Sequence, residues 1–219
     1  MSANRFLETA MISTRYRPVL GVVAAFALTP SAQAHHMMGG RMPADFSDGL
    51  LSGIGHPVIG PDHLAAVLAV GVLAALSRRT LILCALFFAS TLAGVAAHVS
   101  RVNLPGSVAW GFAVVSAVLA LWAIQDAAGR TKLVSALFIV AGALHGYAYG
   151  ESIVGAQPGP LAAYLIGLTL IQASLAIGAG LLTRALTRKD LLLVRPAMLT
   201  SAAALVAANV AVVLLNTIA

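Results

Sequence analysis

Apolar residues run through this chain in blocks too long for the core of a small soluble domain. Hydrophobic runs cover Pro61–Ser77, Leu81–Ser100, Gly106–Gln125, Leu133–Tyr149, Pro160–Thr183 and Leu191–Thr217. Each approaches or exceeds the roughly 20 residues that an α-helix needs to cross about 30 Å of hydrocarbon. The pattern predicts an all-α, polytopic membrane helix bundle of about six transmembrane helices. Ahead of the first run lies a shorter helical piece, Ala44–Ile54, cut off by Gly55, Pro57, Gly60 and Pro61. Such breakers suit a broken first helix beside a site, because non-helical backbone at membrane depth survives only where protein or a polar cavity surrounds it.

Composition changes the picture little and narrows the partners. Of 219 residues 60% are hydrophobic and only 9% charged, with a mean hydropathy of +0.94. A soluble surface needs far more charge, so the exterior is expected to face lipid. The net charge of +6 would fit a nucleic-acid binder, but the Lys and Arg residues stand singly or in pairs at the ends of apolar runs, the pattern of topology signals; no nucleic-acid partner is expected. The single cysteine, Cys84, lies within an apolar run, which leaves neither a disulfide framework nor a thiolate cluster. No Gly-rich loop ending in Gly-Lys-Ser or Gly-Lys-Thr is present, so the chain carries no P-loop of its own.

Residues 1–34 have the layout of a cleavable signal peptide: Arg15 and Arg17, an apolar stretch from Val19 to Leu28, and the small-residue site Ala32-Gln33-Ala34. An uncleaved anchor is the rival reading, disfavoured because about ten apolar residues fall short of a bilayer. Cleavage leaves a single helix-bundle domain, 35–219, that starts outside. Counting spans from there puts Arg78, Arg79, Arg130, Lys132, Arg184, Arg188, Lys189 and Arg195 at cytoplasmic ends and only Arg41 and Arg101 outside, in keeping with the positive-inside rule. The expected location is a bacterial inner membrane, with the mature N-terminus periplasmic. Trp110 and Trp122 are spaced as interface anchors or as ordinary packing residues, and Gly142, Gly146 and Gly150 form a small-residue ridge that lets another backbone approach.

Ionisable groups within a bilayer are costly and ask for a reason. His56, Asp62 and His63 flank the predicted break, His98 closes the second span, and His145 and Glu151 end the fourth. On the topology above, all lie in the outer half of the bilayer or at its outer surface. Imidazole with carboxylate suits a borderline divalent cation such as nickel, cobalt or zinc, and disfavours calcium or magnesium. His56, Asp62, His63 and His145 form the proposed metal set; Glu151, His98 and the mature-terminal pair His35 and His36 are further candidates. Each has a plainer alternative. Asp62 can complement a helix dipole, His145 can bond another helix, Glu151 can be a solvated loop charge, His98 an interfacial residue, and the terminus a disordered stub. Tyr149 lies one turn beyond His145 and can hydrogen-bond behind it. Gln172 and Asn209 are candidate pore-lining groups or helix glue.

The stretch His56-Pro57-Val58-Ile59-Gly60-Pro61-Asp62-His63, followed by Ala69-Val70-Gly71, resembles the first signature of the HupE/UreJ family. These bacterial proteins are associated with nickel or cobalt uptake and with hydrogenase or urease gene clusters. The family's second signature, His-Gly-x-Ala-His-Gly-x-Glu, corresponds to His145-Gly146-Tyr147-Ala148-Tyr149-Gly150-Glu151. Two departures mark a divergent branch: Tyr149 replaces the second histidine, and Ser152 stands at the glutamate position. The resemblance implies a membrane transporter or permease for a divalent metal, carried as substrate, rather than an enzyme. The alternatives are an intramembrane zinc-dependent hydrolase, with Glu151 handling the proton, and a metal-binding accessory subunit. A homo-oligomer or an accessory partner protein fits either transport or accessory roles.

Overall fold

The computed structural model describes residues 41–102 and 131–189. The predicted leader, the runs at 106–125 and 191–217, His35, His36, both tryptophans, Arg130, Arg195 and Asn209 lie outside the described residues. Among the described residues the chain forms α1 (Phe46–Ile59), α2 (Pro61–Leu76), α3 (Thr80–Val99), α4 (Thr131–Gly150), a 3-10 turn (Glu151–Ile153) and α5 (Pro158–Lys189), with no strand. Three segments, Thr80–Val99, Lys132–Ile153 and Pro158–Arg188, are long and apolar enough to cross a membrane. The pair α1 and α2, inclined at 77°, makes a fourth such unit if counted as one span.

Asp45 starts α1. Its carboxylate accepts the Asp48 N–H and the Ser47 hydroxyl, each at 2.9 Å, and these bonds hold its carboxyl below the usual carboxylate range. The helix then continues past Ile54, where the sequence predicts its end, through Gly55, His56 and Pro57 to Ile59. Proline removes one N–H, the one that would bond the Gly53 carbonyl, and membrane helices tolerate that loss where neighbours pack closely. The helix gives way instead at Gly60, whose extended backbone (φ −78°, ψ 106°) separates α1 from α2. Pro61 then takes the first helical position of α2, where its missing N–H costs nothing.

Glycine sets how the helices meet. A β-carbon at Gly49 would strike the Pro160 carbonyl, at Gly53 the Tyr164 carbonyl, and at Gly71 the Ala176 carbonyl. Contacts that advance together along both partners mean that α1 and then α2 run in the same sense as α5 and cross successive parts of it. The ridge Gly142, Gly146 and Gly150 likewise meets Phe87, Thr91 and His98 in turn, so α3 and α4 are parallel to each other. The sequence expects a close backbone approach at that ridge, and α3 is what approaches.

Between α2 and α3 the chain reverses tightly. Arg78 adopts a left-handed φ of 56°, and the N–H groups of Arg78 and Arg79 return to the Ala75 and Ala74 carbonyls at 3.0 and 3.2 Å, closing the orphan carbonyls of α2. Exposed Arg78, Arg79, Lys132, Arg184 and Arg188 therefore share one end of the bundle, and exposed Arg41 and Arg101 the other. Toward the arginine-rich end, Val67, Val70, Leu73, Leu83, Phe87 and Phe138 form an apolar core. Toward the other, Val95, Ile153 and Leu168 pack around Tyr149 and Tyr164. At 32 residues, α5 rises about 48 Å, beyond the roughly 30 Å of hydrocarbon, so it must tilt or project.

Glycine-to-alanine substitutions test these contacts. Gly53→Ala and Gly146→Ala, which place a methyl against backbone, are expected to lower unfolding stability in detergent by about 1–3 kcal/mol. Gly178→Ala, which meets nothing within 4 Å, is expected to be neutral or stabilising. Equal losses in all three would contradict the packing described.

Candidate functional site

The break between α1 and α2 places His56 in the last turn of one helix and His63 in the first turn of the next. Their ring centroids are 5.2 Å apart. From α4, His145 brings a third imidazole to 4.9 Å from His63. Two imidazoles sharing one tetrahedral ion have centroids roughly 5 Å apart, given metal–nitrogen bonds of about 2.0–2.1 Å. The His56–His63 and His63–His145 spacings are close to that value, and all three rings are buried, with 5%, 8% and 1% exposure for His56, His63 and His145.

Tyr149 is the hub of the group. It is fully buried, and its ring centroid lies 4.5 Å from His63, 4.5 Å from His145 and 5.0 Å from His56. Its hydroxyl is 2.9 Å from His145 Nε2, the contact that the four-residue spacing along α4 predicts. The Tyr149 carbonyl meanwhile accepts hydrogen bonds from the Ser152 hydroxyl at 3.0 Å and the Tyr164 hydroxyl at 3.1 Å.

Those two hydroxyls also flank His56 Nδ1, at 3.0 and 3.2 Å. Each hydroxyl has one proton, and a carbonyl can only accept. If both hydroxyls give their protons to the Tyr149 carbonyl, His56 donates from Nδ1. In that tautomer His56 Nε2 carries the lone pair a metal ion needs, its orientation fixed by the bonds on the other nitrogen.

The sequence foresees neither Tyr164 nor Ser152 in these roles. Tyr164 sits on an apolar stripe of α5 and Ser152 in the 3-10 turn, and nothing in their spacing links them to His56. The one available signal is chemical: a tyrosine hydroxyl on a buried helix face needs a partner.

Other candidates fall elsewhere. His98 is half-buried; its Nδ1 is 2.7 Å from the Tyr147 carbonyl and its ring lies 4.2 Å from the Tyr147 ring, which fastens α3 to α4. Glu151 is exposed at the start of the 3-10 turn, whereas the imidazoles are buried. Asp62 occupies the second position of α2, and its side chain lies outside the described set. Tyr164, bonded to His56, stands six residues inside Pro158, about 9 Å of helix rise. Among the described residues no group of three or more His, Cys, Asp or Glu side chains is arranged to hold a metal ion. Tyr149 has its ring beside His63 and His145 and its hydroxyl on His145 Nε2.

Comparison with known proteins places the chain in a family. The family described as HupE / UreJ protein matches residues 23–214, a stretch that includes both motifs around His56–His63 and His145–Glu151. No curated protein and no solved structure matches. With nearly its whole length covered, the chain belongs to the HupE/UreJ family.

Proposed function

We propose that this protein binds a divalent transition-metal ion, nickel or cobalt, at His56, His63 and His145 and carries it across the membrane. The observation that carries the reading is the meeting of three imidazoles from three helices at one buried level, with ring spacings of 5.2 and 4.9 Å. Membership of a family associated with nickel and cobalt handling supports the choice of metal. Asp62, next to His63 in the chain, is the carboxylate assigned to the same ion.

Imidazole nitrogen is a borderline ligand and is selective against hard alkaline-earth cations. Binding must also be reversible, since a conduit that holds its ion like a structural zinc site would not release it. Displacement of the Tyr149 ring as the ion enters supplies such a limit, because each binding event must repack a fully buried aromatic side chain. An inside-negative membrane potential favours inward passage of a cation.

The proposed topology has six spans, with α1 and α2 as one broken first span whose break presents the site. The parallel course of α3 and α4 supports a crossing between them, since the chain leaves α3 at one end of the bundle and enters α4 at the other. The exposed arginines and Lys132 at one end assign that end to the cytoplasm by the positive-inside rule, with the inner membrane as location and the region after the leader outside. Glu151, the acid assigned to a hydrolase's proton, is exposed rather than buried with the imidazoles, which favours the transport reading over the enzymatic alternative.

Cellular uptake of labelled nickel, cobalt and zinc tests the proposal. At equal expression, His63→Ala and His145→Ala are expected to lower nickel or cobalt uptake by about tenfold or more, and unchanged uptake of all three metals would remove it. Neutral imidazole is the ligand, so protons compete with the metal as the pH falls; uptake should decline in acid, and a steady rise from neutral to acidic pH would contradict this. Tyr164→Phe, which removes one of the two oxygens holding His56 Nδ1, is expected to weaken nickel binding by about 10-fold in equilibrium dialysis. Thr169→Ala, whose hydroxyl bonds only its own helix at Leu165, should leave binding unchanged.

A further inference from the structure

Inward of the histidines, two buried polar groups stand out. Gln172 is 1% exposed and Thr80 is 5% exposed, and neither Gln172 Nε2 nor Thr80 Oγ1 has a hydrogen-bond partner among the described residues. An amide buried in an apolar surround without a partner is costly, so a membrane helix that keeps one needs something polar to reach it.

Their placement is ordered. Tyr164, Leu168, Gln172 and Ala176 recur every fourth residue on α5 and are buried to within 1%, which makes one continuous inward-facing stripe. Tyr164 bonds His56 at its hydroxyl, and Gln172 lies eight residues further along, about 12 Å of rise. Thr80 packs its methyl 3.0 Å from where a β-carbon on Gly180 would lie, a further eight residues on and again about 12 Å. The progression runs from the histidine cluster toward the arginine-rich end of the bundle. In the sequence Gln172 reads equally well as helix glue; a glue residue bonds its neighbour, and among the described residues this one does not.

We infer that a narrow hydrated cation path runs beside the apolar core through the inner half of the bundle, with Gln172 the next polar contact after the histidines, followed by Thr80. This rests on the conduit reading and deepens it. The Gln172 amide oxygen and ordered water would carry a partly hydrated divalent ion past a stretch without imidazole, binding it loosely enough for onward release. Leu168 and Ala176, on either side along the stripe, offer no polar atom from their side chains.

Cysteine reactivity tests the inference without relying on transport. In a Cys84→Ala background, Gln172→Cys and, separately, Thr80→Cys are treated in the membrane with a small cationic methanethiosulfonate. A thiol reacts as its thiolate, which forms in water and not in lipid. Both variants are expected to react about tenfold or more faster than Leu170→Cys, which is exposed on the outside of α5, and nickel ion should slow them. Reaction no faster than that of Leu170→Cys, or a rate that nickel leaves unchanged, would overturn the inference. Nickel binding measured on the same preparations separates the two claims and checks folding. Failure of the parent protein to bind nickel removes the conduit reading, whereas binding by an unreactive Gln172→Cys variant removes the hydrated path alone.

Discussion

Backbone contact through glycine is the constraint on which this bundle depends. In lipid no hydrophobic force draws apolar helices together, so association relies on close packing and on small residues that let backbones touch. Gly49 and Gly53 seat α1 against the start of α5, Gly71 seats α2 further along it, and Gly142, Gly146 and Gly150 seat α4 on α3. These seats fix the height of each helix relative to its partner. They thereby decide that the end of α1, the start of α2 and the last turns of α4 meet at one level, which brings His56, His63 and His145 together. A bulkier residue at any of these glycines would move a whole helix, and its imidazole with it.

On the proposed metal reading, the imidazoles lie in a setting that suits transient rather than permanent ligation. Tyr149 fills the space among them and bonds His145, Ser152 and Tyr164 steady His56, and Phe87 closes the side near His145 at 5.8 Å. An apolar wall strengthens any metal–ligand bond by excluding water, while the tyrosine in the middle must yield before such bonds form. Opposing effects of this kind fit a site that must release what it captures.

Much of this was legible in the chain. Long apolar runs announced membrane helices, and the four-residue repeat of Gly142, Gly146 and Gly150 announced a contact ridge; of the four expected breakers, Gly55 and Pro57 lie inside α1, and only Gly60 and Pro61 fall between α1 and α2. The passage of α1 through Pro57 was not legible, because proline's lost hydrogen bond is a local cost that tertiary packing can outweigh. Tyr164 and Ser152 escaped notice since their function depends on His56, about a hundred positions away in sequence, and not on any local pattern. His98 matched the histidine pattern by type, yet its nearest acceptor, the Tyr147 carbonyl, belongs to the backbone and leaves no trace in composition.

The central claim is that imidazoles from separate helices share one cation. Nickel-edge X-ray absorption on the purified, stoichiometrically loaded protein measures this most directly. The account predicts imidazole nitrogen scattering with metal–ligand distances near about 2.0–2.1 Å, and a reduced imidazole signal in both His63→Ala and His145→Ala. A coordination shell of oxygen alone, unchanged in both variants, would contradict it.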